Sequence, residues 1–557
     1  DADSTIEEMI KANPDSLPAH RIAANYWREQ GDIEKATGHA LRMLELEPDN
    51  RDGLLMVAQC ALIRAVRASA ADNRELVEES LQEAQDYLDK GTKLYPRDAD
   101  LCLAAAEAQR LAGRPENAIQ ILREGLKANQ NEASLLVQLA DMLLNMQRTD
   151  EAQQLIDQIK RTRINEAIVN YLQGRIQFNR GNWREALESF QKVAPALTPM
   201  AQTLKQVYYW IGRCYKELGN PDEERRYYRQ ALNLDRDFAA AKTALANSLM
   251  ASGKIDDALT EYEMLARAGR GQAASPLAVA RMSLLRTLRT PLAERNWAQV
   301  ESLLDEAARE LGDSPQVIVL RAEVLWHQMR AAEAEKLLLA ARDKSPQTIE
   351  FWTLLIALAQ RQQKWEDADK LLAEAEALLG DRMELRLMKA QQLFFREGKA
   401  AGGKLMELAR NVESFSDEQQ LRLWQGLLEI AIRLNDVELT RQLCQSLVRK
   451  QPNNVQVQFL LFEFALRTGD KAGVEAAHKA IRDIEGQGPY WHYCEAVRLT
   501  LPVTKADDPR LTQALQHLAE AAAARPSWSR VPLLTGTVYY QQGNRAKALE
   551  QFLKDIE

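Results

Sequence analysis

Histidines, cysteines and paired carboxylates are the side chains that could carry metal, redox or nucleophilic chemistry, and in this chain they lie far apart. Six histidines (His20, His39, His327, His478, His492 and His517) and five cysteines (Cys60, Cys102, Cys214, Cys444 and Cys494) are scattered over 557 residues. A metal centre needs several ligands converging from short spacings. The nearest approach is Tyr490-Trp491-His492-Tyr493-Cys494, and no further ligand lies close to it. Aromatic helix packing is the expected role of that stretch. The cysteines fall in apolar helical contexts and read as buried free thiols. Their odd number, without a framework, leans towards a reducing compartment, although a periplasmic helical chain need not use disulfides. Glu223-Glu224 and Glu333-x-Glu335 have Lys or Arg neighbours at helical spacing, the pattern of solvated helix charges. There is no P-loop, dinucleotide glycine fingerprint, His-Glu-x-x-His or nucleophile elbow. The expectation is a chain that is not an enzyme and takes no metal or cofactor.

The elements that hold these residues follow one repeated grammar. Residues 208–236 read as an amphipathic run, a Gly-Asn-Pro break and a second amphipathic run. Ile211, Tyr215, Gly219 and Tyr228 are answered 34 residues later by Leu245, Leu249, Gly253 and Tyr262. Two helices per period of this length mark a helical solenoid. About 15 such pairs can be counted, with turns near Gly31, Gly113, Gln147, Gly181, Gly219 and Gly253. Gly, Asn or a polar residue stands where the chain reverses, and Ala stands where helices approach closely. The second pair carries an insert near residues 67–74, and Leu501–Arg510 is a proline-bounded loop. The first run, Thr5–Asn13, reads as a helix capped by Ser4 with no partner before it. A chain that starts on half a pair and stops on a strong repeat (Gly536, Tyr539, Gly543, Ala548, Phe552) is expected to be a piece of a longer protein.

With its small residue in the first helix, Ala in the second and closing Pro, the chain resembles the tetratricopeptide repeat (TPR) family. The style, many divergent Ala-rich acidic repeats, is similar to large bacterial multi-repeat scaffolds. The resemblance implies an all-α, right-handed superhelical solenoid of antiparallel helix pairs. It also implies that Tyr208, Tyr215, Tyr228, Trp352 and Trp424 fill gaps between helices. Partners would be met on the concave groove lined by each first helix. Counting from the turn glycines carries the ligand-facing positions onto Arg21 and Asn25, Arg175 and Phe178, Tyr209, Arg213 and Lys216, and Thr243 and Asn247. Further along they fall on Glu323, Trp326, Glu350, Glu429, Gln456 and Glu463. The groove is thus expected to change from basic or neutral to acidic, and Arg175, Arg213, Lys216, Tyr209 and Asn247 to share one hollow that takes an acidic peptide. Met56 and Ala104 do not complete the clamp by which some TPR proteins hold a chaperone C-terminus, so that function is rejected. The implied function is a protein-interaction scaffold. Alternatives are the recognition arm of a larger glycosyltransferase-type enzyme, or a periplasmic scaffold of a polysaccharide or protein export system.

Composition narrows the partners. A net charge of −8 argues against nucleic acid, which needs a basic face to neutralise phosphates. No run of 18 apolar residues occurs, so no membrane-spanning helix is expected. With 27% charged and 46% hydrophobic residues, the chain reads as soluble and helix-rich, in a bacterial cytoplasm or cell envelope. The pattern falters at Ala-Gly-Arg-Gly-Gln (268–272) and Thr-Pro-Leu (290–292). The expected organisation is therefore 1–266 as an N-terminal superhelix, 267–312 as an irregular joint and 313–557 as a C-terminal superhelix.

Overall fold

A computed structural model describes residues 2–70, 74–129, 131–161, 165–236, 238–267, 276–312, 314–501 and 503–554. Among them are 31 α-helices and no strand. A leading helix, Ala2–Ala12, is followed by helices that stack as consecutive pairs, the solenoid arrangement that the 34-residue period implied. No described helix is long and apolar enough to cross a membrane.

The turns within pairs obey a backbone rule. Gly31, Gly113, Gly181, Gly253 and Gly543 all have positive φ, as do Gln147, Met329 and Gln363. A residue in this left-handed conformation ends the first helix and lets its last carbonyls be satisfied. Five residues beyond each of these eight comes an alanine: Ala36, Ala118, Ala152, Ala186, Ala258, Ala334, Ala368 and Ala548. All are at most 2% exposed. The slot is small because the two helices of a pair touch there. A second close approach joins the first helix to an aromatic ring of the second. A Cβ on Gly174 would lie 2.7 Å from the Phe190 ring, and one on Gly536 would lie 2.5 Å from that of Phe552.

One sequence expectation is corrected. The leading helix starts at Ala2, so Ser4 lies inside it and is not its cap. The stretching of the second pair near residues 67–74 is seen as two longer helices, Arg51–Ala70 and Arg74–Leu94, with residues 71–73 outside the described ones. Of the stretch expected to be an irregular joint, 268–275 also lie outside the described residues. The remainder forms a further helix pair, Pro276–Arg289 and Ala298–Leu311. It packs through Ala280, Leu284, Val300 and Leu304 onto Leu320 and Val324 of the next helix. The side chain of Tyr262 is not among those described.

The chain divides into two compact units. One comprises Asp1–Trp210, Leu234–Ala239 and Met264–Ala274; the other comprises Ile211–Asn233, Ala240–Glu263 and Ser275–Glu557. Each has a chain of apolar clusters running from pair to pair. One such cluster in the first unit runs from Cys102 to Ile176, and one in the second from Val455 to Val538. All five cysteines are buried free thiols.

Candidate functional site

In the first unit, most residues expected to meet a ligand are already engaged. Arg21, on helix Leu17–Gln30, is exposed and pairs with Asp52 at 3.0 Å. Partial burial works against the Asp52 carboxylate, but the Arg51 and Arg21 guanidiniums outweigh it and hold its pKa below the usual range. Asn25 accepts a hydrogen bond from Arg28 Nη2 at 3.0 Å.

Arg175 is enclosed. It is 2% exposed on helix Glu166–Asn179. Nη1 donates to Asp141 Oδ1 at 2.7 Å and to the Tyr171 hydroxyl at 3.3 Å, and Nη2 donates to Asn145 Oδ1 at 2.7 Å. Its guanidinium lies 4.0 Å from the centroid of the Trp210 ring. The expectation of an open cation at 175 is corrected: the preceding first helix, Ala133–Asn145, supplies the carboxylate and amide that take up its charge. Phe178, expected beside it, is buried against Trp183 and Trp210. Tyr209 is half-buried, with its ring edge-on to Trp210 and Phe238. Lys205 sits 5.3 Å from the Phe238 centroid and donates to Asp235 at 2.6 Å.

In the second unit, Arg213 is half-buried, while Lys216 and Asn247 are exposed. Lys216 bears electrostatically on Glu224, which is not a solvated helix charge as the sequence suggested. It is 6% exposed, and burial pushes its carboxyl up to about 7, against the pull of Ser248, Lys216 and Arg225. Glu323 is also pushed up by burial, with Arg281 and Arg361 acting against it. Glu463 is paired with Arg530. The acidic positions of the later pairs are therefore partly matched by their own neighbours, and of these four only Glu350 and Glu429 are exposed. Arg175 and Tyr209 belong to the first unit, and Arg213, Lys216 and Asn247 to the second.

The histidines form two couples that sequence spacing hid. His20 Nε2 lies 2.8 Å from the Pro14 carbonyl, which can only accept, so in the neutral ring the His20 Nδ1 is the acceptor. His39 Nδ1–H then donates to it across 3.1 Å. His492 and His517 meet in the same way, Nδ1 to Nδ1 at 2.9 Å, with Trp491 edge-on to both. Burial lowers the pKa of His39 and of His492, and the histidine facing each lowers it further. Among the described residues, no group of three or more His, Cys, Asp or Glu is arranged to hold a metal ion.

Residues 110–176 and 205–238 match the tetratricopeptide repeat family. Those two stretches carry tetratricopeptide repeats. A protein of Bos taurus, the BBSome complex member BBS4, is 26% identical over 198 residues, which is 34% of this chain and 36% of that one. The match spans little more than a third of that relative's length. Among solved structures, yeast Tom70 is 16% identical, with 90% of this chain and 99% of that one covered and a TM-score of 0.33. The Cut9–Hcn1 hetero-tetramer of the APC/C is 13% identical, covering 96% and 98%, with a TM-score of 0.38. A tetratricopeptide repeat protein of Parabacteroides merdae is 14% identical, covering 50% and 97%, with a TM-score of 0.36.

Within the matched repeats, Glu224 stands five residues after the turn glycine Gly219, in the slot that holds alanine in eight other pairs. That departure is visible in the sequence, and it is the signal that could have marked Glu224 as buried.

Proposed function

We propose that this chain is a non-enzymatic scaffold that binds protein or peptide partners on the exposed faces of its first helices. The observation that carries this reading is the pair Lys216 and Asn247. Both are exposed polar residues on consecutive first helices, Ala201–Glu217 and Ala239–Ala251. Arg213, one turn before Lys216, adds a second cation on a half-buried position. Two cations one turn apart on the same helix make an acidic segment the favoured partner. The net charge of −8 makes nucleic acid a poor alternative. The relative BBS4 is, by its name, a member of the BBSome complex, which supports a scaffold role.

Fluorescence anisotropy with labelled acidic, neutral and basic peptides tests the reading. The acidic peptide should bind most tightly and weaken with salt. Lys216→Glu should cost roughly 1–3 kcal/mol of that binding, the range for a charged hydrogen bond, without loss of helix. Equal binding of all three peptides, or indifference to Lys216→Glu, would sink it.

A further inference from the structure

Inside the second unit, two segments about 300 residues apart in sequence are joined by a turn. Gly219 and Asn220 lead into helix Pro221–Leu234. Asn220, 3% exposed, donates from Nδ2 to the Ala524 carbonyl at 2.7 Å. Ala524 ends helix Pro509–Ala524, so this carbonyl is one of those that the helix itself leaves without a partner. Two residues on, Asp222 Oδ2 accepts from the Ser527 N–H at 2.9 Å. Its other oxygen accepts from Arg225 at 2.7 Å, which fixes the carboxylate towards Ser527. Gly219, at φ +67°, completes the fit: a Cβ there would lie 2.8 Å from the Tyr490 hydroxyl and 3.1 Å from Gln456 Nε2.

The receiving surface is a built notch. Its aromatic base is the Tyr490, Phe459, Tyr493 and Trp528 cluster, with ring centroids 4.8–5.6 Å apart. Arg525 lies over Tyr490 and Trp528 at 5.2 and 4.8 Å, and its Nε and Nη1 are buried without an acceptor. The Arg525 guanidinium also bears on the Tyr490 hydroxyl and on the buried Glu485 carboxyl, so what the notch offers a segment is one carbonyl and one N–H. Among the described residues, two hydrogen bonds and a glycine contact join the turn to the notch, whereas neighbouring pairs are joined by layers of buried apolar side chains. A contact of that kind can open without unfolding the pairs on either side.

We propose that the Gly219–Asp222 turn is a releasable latch, an internal occupant of a peptide-turn site on the last repeats of the chain. A partner segment of the same chemistry, a side-chain amide followed two residues later by a carboxylate, displaces it. This site is separate from the first-helix faces and does not rest on the function proposed for them.

Spin-label distances in the full chain test the latch. Labels go on Arg226→Cys and Ser529→Cys, both exposed positions; the five native cysteines are buried and stay unlabelled. The expected result is a short, narrow distance distribution in the otherwise native chain. Asn220→Arg, which puts bulk and charge into a closed slot, should lengthen and broaden it at unchanged helix content. A synthetic peptide spanning residues 217–226 should bind the Asn220→Arg chain more tightly than the native one, whose notch is occupied. If Asn220→Arg fails to fold, Asn220→Ala removes only the donor. Amide exchange at Ser527 should then quicken by about tenfold, the factor for one ordinary hydrogen bond. A long distance in the native chain overturns the latch. So does a distance or exchange rate unmoved by either variant, or a peptide that binds both chains equally.

Discussion

Gly212 faces the ring of Tyr228 so closely that a Cβ on the glycine would lie 2.5 Å from ring carbon Cε1 and 3.2 Å from the Glu224 carbonyl. Tyr228 is 0% exposed and cannot swing into solvent without leaving its core. Gly212→Ala should therefore destabilise the sixth pair by about 1–3 kcal/mol through overpacking. Tyr228→Ala should cost about 3–5 kcal/mol through loss of a large buried side chain. Because the two residues touch, the double variant should cost less than the sum of the singles. Hydrogen exchange of the peptide covering 208–233 reads this locally, which a global melt of a repeat chain does not. Additive losses would show that the two residues do not share a contact.

The same geometry explains what the sequence made legible. Turn residue and alanine five positions on are set by backbone φ and by helix contact, both local, so they recur wherever a pair forms. Tyr228, Trp352 and Trp424 were readable as core for that reason, and all three are buried. Arg175 was not readable. The resemblance put it at a ligand-facing position, but its burial depends on Asp141 and Asn145, 34 and 30 residues earlier, and on Trp210. The docking of Asn220 on Ala524 spans 304 residues and leaves no periodic trace.

Met329 holds φ +64° and is 84% exposed. A side chain in the left-handed region is strained, and this one gains nothing from packing. Met329→Gly should relieve the strain, offset in part by the greater freedom of glycine in the unfolded chain. The expected net gain is about 0.5–1 kcal/mol, seen as a small rise in the melting temperature of the second unit. A loss would mean that the Met329 side chain packs against something in solution.

Glu224 gives a pH signature of a definite sign. Burial raises its folded pKa to about 7 from an ordinary 4.5. Between those values the folded chain keeps a proton that the unfolded chain has released. Its contribution is therefore most favourable below about pH 4.5, declines as pH rises towards 7 and stays low above it. Glu224→Gln removes the dependence, so the variant should gain on the native chain from pH 5 to 8, by at most about 3 kcal/mol. The paired carboxylates pull the opposite way, so the informative quantity is the difference between the two chains across pH. A difference that is flat, or that shrinks as pH rises, would show that Glu224 ionises normally.

Arg175 separates a structural cation from a binding one. Its partners Asp141 and Asn145 lie on the preceding first helix, so the guanidinium fastens two consecutive pairs and covers the Trp210 ring. Lysine reproduces the charge but neither the two-pronged donation nor the flat stack, so Arg175→Lys should cost about 1–2 kcal/mol. Arg175→Met takes the ion-pair partner from the Asp141 carboxylate, which keeps the Asn145 amide at 3.2 Å. Asp141 is one-third exposed and water can reach it, so the cost should be about 2–3 kcal/mol, below the range for a fully buried pair. Thermal melting and exchange at residues 133–179 should register both losses. Binding of an acidic peptide should be unchanged by Arg175→Lys and weakened by Lys216→Glu. If Arg175→Lys instead weakened the peptide and left stability alone, the guanidinium would be reaching a ligand from a pocket that opens in solution, and its place in the core would have to be withdrawn.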